Sequence, residues 1–186
     1  NYQMNNFGKL KLYKTKPTII AEVGVNHECN LKNAFRLISD AKNCGAEAVK
    51  FQTYNASDLA IKDSPAYWDL NKEKTTTQRS LFEKYDKFDE KEFKRLYLDC
   101  RKKKITFMST LFSVNLVNKF SKLLPLLKIA SADITNVPLL RAISKQKKPI
   151  LLSTGASSID EVKFALKILD LPKKQICIMH CVLNYP

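Results

Sequence analysis

The sequence predicts an α/β fold of parallel strands, of the β/α-barrel type, and three observations carry that expectation. Strand-like and helix-like runs alternate from Thr18 onward, an order that demands parallel strands joined by right-handed crossovers. Six strand-like runs end in polar residues: Glu22, then Lys50 and Gln52, Ser109 and Thr110, Lys128 and Ser131, Ser153 and Thr154, and His180. A barrel converges all its strand ends on one centre, whereas a doubly wound sheet gathers ligand contacts at a switch point. Finally, GVNHEC follows the first strand where a dinucleotide fold would carry GxGxxG.

The elements follow in order. TIIAEVG reads as the first strand, and the next helix has Leu31, Ala34, Phe35, Ile38 and Ala41 at helical spacing, Asn30 as N-cap and Gly45 as its stop. AEAVKFQ is the second strand. Thr53 to about Lys87, with Pro65, Tyr67 and Trp68, is too long for a simple connection and reads as a functional loop. Asp89 and Glu92 then make a capping-box pair, Phe88 and Phe93 a hydrophobic staple, and Phe93, Leu96, Tyr97 and Cys100 the apolar stripe. ITFMST is the third strand, Val114 to Leu123 a short helix, and LLKIAS the fourth strand. Asn136 and Pro138 open a helix, PILLST is the fifth strand, Ser158 and Glu161 cap a helix striped by Val162, Ala165, Leu166 and Leu169, and ICIMHC is the sixth strand.

A chain of 186 residues, 45% of them hydrophobic, can bury a core of its own. No run reaches the roughly 18 apolar residues of a membrane span, and NYQMNNFGKLKLYK lacks a signal peptide's apolar centre. A soluble, cytoplasmic protein is expected, with no membrane partner. Five cysteines at irregular spacing read as reduced, mostly buried thiols. The net charge of +14 invites a nucleic-acid partner, but the lysines are scattered and only Arg101 to Lys104 form a run, at a helix end where cations suit the dipole. Nucleic acid is therefore excluded, while attraction of small anions fits the field.

Two strands carry a lysine in an otherwise buried run, Lys50 in AVKFQT and Lys128 in LLKIAS. An unpaired buried ammonium is costly, so each needs an anion or a carboxylate. Either both face a small polyanion in the barrel mouth beside Thr110, Ser131 and Ser153, or Lys50 pairs with Glu22 and Lys128 with Asp133 as internal salt bridges.

IAEVGVNHECNL, GAEAVKFQTY, FMSTLFS, KIASADITNVPLL, PILLSTGAS and HCVLNYP resemble, in order, the motifs of the sialic acid synthase family, from about Thr18 to Pro186. That resemblance implies a TIM (β/α)8 barrel over residues 17–186, incomplete at about six of eight strands, preceded by an extension or hairpin in residues 1–16. It implies condensation of phosphoenolpyruvate with an N-acetylated amino sugar, a divalent metal (usually Mn2+), and a homodimer swapped through a C-terminal antifreeze-like domain that this chain lacks. Phosphoenolpyruvate would be held by Lys50, Thr110, Lys128, Ser131 and Ser153, and the amino sugar by Glu22, Gln52, Asp133, Asn184 and Tyr185. Glu22, Lys50 and Lys128 would be the catalytic set, with Glu22 moving a proton or orienting the sugar. The metal would polarise the aldehyde oxygen as a Lewis acid.

Two departures qualify this. The family's metal ligands are histidines beyond the sixth strand, whereas this chain holds only His27 and His180. No metal ligand is assigned among its residues, and it is expected to be either an inactive portion of a longer product, unstable or self-associating alone, or a degenerate relative. The last motif lacks the threonine and serine of many members, and Asp133 stands where others carry glutamate; SADITN with HCVLNYP favours the legionaminic acid branch over N-acetylneuraminic acid. A related synthase acting on a sugar phosphate, or a non-catalytic anion-binding barrel, are the alternatives. His27 reads as a local hydrogen-bonding group, His180 as an orienting one, Tyr67 and Trp68 as a lid or as loop packing, and Gly155 either as letting backbone N–H groups approach a phosphate or as an ordinary turn glycine.

Overall fold

The computed structural model describes residues 5–12 and 16–183. Strands β3 (Ile20–Gly24), β4 (Ala48–Thr53), β5 (Thr106–Leu111), β6 (Leu127–Ile129), β7 (Ile150–Ser153) and β8 (Ile176–Met179) form one sheet in strict chain order. All neighbouring pairs are parallel. The order never reverses, which excludes a doubly wound sheet.

Residue alternation shows that the sheet is curled. Val49, Phe51, Phe107, Leu127, Ile129, Ile150 and Leu152 face outward into the core shared with the helices. The inward set, Ala48, Met108, Leu126 and Leu151, forms one cluster that also receives Ile20 of β3 and Cys177 of β8. In a flat sheet those two edge strands would lie about 24 Å apart. Bringing both to one cluster requires the closing curvature of an incomplete β/α barrel. Its narrow end is filled by Phe7 and Leu10, from a hairpin in which β1 (Asn5–Phe7) pairs antiparallel with β2 (Leu10–Leu12).

The crossover helices start where the side-chain signals predict. Asn30 accepts from the amides of Lys32 and Asn33 to cap α1 (Leu31–Asn43). The long connection differs from its reading as a loop: it contains α2 (Ala56–Leu59) and α3 (Gln78–Tyr85). Thr77 caps α3, Arg79 bonds Glu83 one turn on at 2.7 Å, and a Pro65–Thr77 bridge ties its start to the loop. A helix of eight residues shows too few turns for an apolar stripe to stand out. The reciprocal capping boxes of α4 (Glu90–Lys102) and α7 (Ile159–Leu169) are both formed, and Phe88 meets Phe93 edge-on at 6.2 Å. Between them lie α5 (Val114–Phe120) and α6 (Val137–Ser144), the latter capped by Asn136. Ser158→Ala is expected to cost about 1 kcal/mol, read as a lower urea midpoint with an unchanged slope.

The two sheet edges carry exposed apolar residues. Ile19 precedes β3, and Ile178, Met179 and Val182 lie in or just after β8, while Phe164 on α7 is also exposed. No helix among the described residues is long and apolar enough to cross a membrane.

Candidate functional site

One layer above the apolar plug, the inward positions become polar. Glu22, Lys50, Thr110, Lys128 and Ser153 come from five consecutive strands, with Glu22 opposite Lys50 and Thr110 opposite Lys128 in register. The Lys50 ammonium lies 2.5 Å from Glu22 Oε2 and donates to Thr110 Oγ1 at 3.2 Å. One of the two expected internal salt bridges is therefore present.

The other is not. Lys128, only 8% exposed, donates to Ser153 Oγ at 2.6 Å and to the Ile129 carbonyl at 2.7 Å. Asp133 instead accepts from Asn136 Nδ2 at 3.2 Å, and burial raises its carboxyl pKa. The reason is local: Ser131–Asp133 form a 3-10 turn that leaves the strand, so Asp133 does not continue its inward face. Burial, and then repulsion from Lys50, bring the Lys128 pKa down to about 8, with Cys181 and Glu22 acting the other way. An ammonium has three donors, and with two engaged one remains.

Ser131 is held by the loop after β7. Gly155 has φ +54°, and a Cβ there would stand 2.5 Å from Ser131 Cβ and 2.7 Å from its hydroxyl. The amide of Gly155 donates to Cys181 Sγ at 3.1 Å.

Gln52, two residues beyond Lys50 on the same face, borders a cleft of about 480 Å³ together with Asp133, Asn136, Tyr54, Phe82 and Tyr85. The sequence reading named Gln52 and Asp133 there but missed the three aromatics and Asn136. Phe82 and Tyr85 ride on α3, whose signals are the Thr77 cap and the Arg79–Glu83 spacing. Asn136 was recognised only as a helix cap, which it also is. Asn184 and Tyr185 lie outside the described residues.

Other candidates fall away. His27 is 1% exposed, stacks on Phe88 at 4.5 Å and accepts from the Cys29 amide through Nδ1 at 3.0 Å; burial lowers its pKa to about 4. It is a packed, neutral group. His180 is exposed. Ser109 bonds Thr53 at 2.7 Å, away from the lysines. Trp68 donates to the carbonyls of Glu73 and Thr75 in its own loop, while Tyr67 is exposed. No group of three or more His, Cys, Asp or Glu able to hold a metal exists among the described residues. The manganese implied by the resemblance finds no ligand set among the described residues.

Comparison with known proteins places this geometry in context. The NeuB family profile matches residues 37–186. The chain is 38% identical to the N,N'-diacetyllegionaminic acid synthase of Campylobacter jejuni over 92% of its own length and 53% of the relative's. It is 38% identical to an uncharacterized Methanocaldococcus jannaschii protein over 93% of its length and 48% of that protein. It thus spans about half the length of these curated relatives. The crystal structure of the N-acetylneuraminic acid synthetase of Leptospira borgpetersenii, in complex with citrate, aligns over all of this chain and 61% of its own, with a TM-score of 0.82 and 34% identity. By both sequence and fold, the chain belongs to the NeuB family.

Proposed function

We propose that this chain carries the phosphoenolpyruvate-holding part of a nonulosonic acid synthase, which joins phosphoenolpyruvate to an N-acetylated amino sugar and releases phosphate. The observation that supports it is Lys128: a buried ammonium with hydroxyl and carbonyl partners, no carboxylate partner among the described residues, and a second lysine, Lys50, two strands away. Such a cation favours an incoming anion, because the anion supplies the close counter-charge that no described carboxylate provides.

In the reaction, carbon 3 of the enol phosphate bonds to the aldehyde carbon of the open-chain sugar. Water adds at carbon 2, and the tetrahedral intermediate expels phosphate by C–O cleavage. Lys128, Ser153, Thr110 and Ser131 fix the anionic donor, a gain in orientation and in stabilisation of developing charge. Lys50, paired with Glu22, places a carboxylate beside the donor, where it can hold a proton of the attacking water or of a sugar hydroxyl. Gln52 and Asp133 border the cleft assigned to the amino sugar. A diacetamido-trideoxyhexose is the favoured acceptor, on the shorter Asp133 side chain and the Campylobacter relative's product.

The test is phosphate release from phosphoenolpyruvate by the full-length protein, supplied with manganese and a panel of acetamido sugars. Release that depends on one sugar supports the reading, and no release with any sugar from a folded protein overturns it. Phosphoenolpyruvate affinity should also fall above pH 8, by up to about tenfold per pH unit, because Lys128 must then take up a proton to bind. Titration of binding between pH 7 and 9.5 checks this; a flat profile would detach Lys128 from the anion.

A further inference from the structure

The closed end of the barrel, opposite the candidate site, holds a second cationic site. A cleft of about 450 Å³ opens there between the end of α4, the start of β5 and the turn before β6. Lys9, Arg101, Lys104, Lys122 and Lys148 line it without any acidic residue. Some cations elsewhere meet carboxylates, as Lys84 does Glu73, Lys103 does Asp99 and Lys163 does Asp160. Among the described residues, no carboxylate lies within ion-pair distance of the five around this cleft. Glu47, in the neighbouring cleft that shares Lys9 and Lys104, is engaged by the Ile19 amide at 2.7 Å and Lys16 at 3.6 Å.

Two features make this more than a solvated basic surface. Lys148 is half-buried, and its ammonium is clamped by the carbonyls of Ser121 at 2.5 Å and Leu124 at 2.7 Å. A fixed cation with one donor to spare loses little side-chain entropy when an anion arrives. The floor, in turn, is apolar: Tyr97 and Phe107 meet edge-on at 6.1 Å, Leu124 and Ile105 are buried beside them, and the Arg101 guanidinium lies 5.8 Å from the Tyr97 ring. A half-open cleft of this size suits a small molecule better than a polymer track.

We propose that this cleft binds a phosphorylated small molecule bearing a flat ring, of the nucleotide class, with its phosphates on Lys104, Lys122 and Lys148 and its ring on the Tyr97–Arg101 wall. The site is independent of the reaction proposed above and lies at the other end of the strands.

The experiment is calorimetric titration of the full-length protein with ATP, and separately with inorganic pyrophosphate, at about 0.15 M salt. The pair Lys104→Glu and Lys122→Glu should weaken ATP at least about tenfold, whereas Lys32→Glu and Lys167→Glu, which remove the same net charge elsewhere, should change it less than about twofold. Tyr97→Ala should weaken ATP but not pyrophosphate. Melting curves confirm folding, and the milder Lys104→Gln, Lys122→Gln pair replaces the first if it fails to fold. Absence of ATP binding, or equal losses in both charge pairs, overturns the proposal. So does pyrophosphate binding as tight as ATP, or an oligonucleotide that binds more tightly than ATP and displaces it.

Discussion

Lys128→Met in the full-length protein is expected to lower phosphate release by about 10²–10³-fold or more, while raising folding stability at neutral pH by on the order of 1–3 kcal/mol. The two effects have one cause. Burial brings the lysine's folded pKa down to about 8, below its unfolded value near 10.4. Between those values the unfolded chain binds more protons than the native one, so native stability rises with pH through that window, and below pH 8 the buried charge is a standing cost. Methionine fills similar space without the charge, although Ser153 and the Ile129 carbonyl lose a donor, which offsets part of the gain. The advantage of the variant should shrink as pH climbs from 8 towards 10.4. Denaturant unfolding at pH 7 and pH 10, beside the phosphate assay, reads both. A variant that is less stable at neutral pH and keeps its rate would make Lys128 a structural residue.

Gly155→Ala should destabilise the protein by about 2–4 kcal/mol and raise the KM for phosphoenolpyruvate more than it lowers kcat. The left-handed backbone costs an L-residue about 1–2 kcal/mol, and relieving a 2.5 Å approach to Ser131 Cβ adds about 1–3 kcal/mol of overpacking. Gly45 separates the two contributions. It also has positive φ, +87°, but a Cβ there would meet nothing within 4 Å, so Gly45→Ala should show backbone strain alone, about 1–2 kcal/mol. Equal losses in the two alanine variants would mean that the loop after β7 yields freely and does not hold Ser131.

Much of the fold was legible because its signals are local. The Asn30 cap and the Asp89–Glu92 and Ser158–Glu161 boxes are properties of neighbouring residues. The α3 helix escaped because a short helix is stabilised mainly by contacts that sequence distance conceals: Tyr54 meets Phe82 edge-on at 5.7 Å, and the Ser64 carbonyl accepts from the Gln78 amide.

The candidate site divides in the same way. That Lys50 and Lys128 sit in buried strands, and that a small anion would resolve the cost, follows from residue type and position alone. Which lysine lacks a carboxylate was a question of reach across strands. Glu22 and Lys50 face each other in register on adjacent strands, whereas Asp133 turns out of the strand face with Asn136. Pattern records the period of a chain and the cost of burying a charge, and these determined the parallel fold, its helix starts and the inward-facing polar layer. Only the tertiary structure decided which partner each charge meets, because that depends on strand register and on curvature spread over the whole sheet.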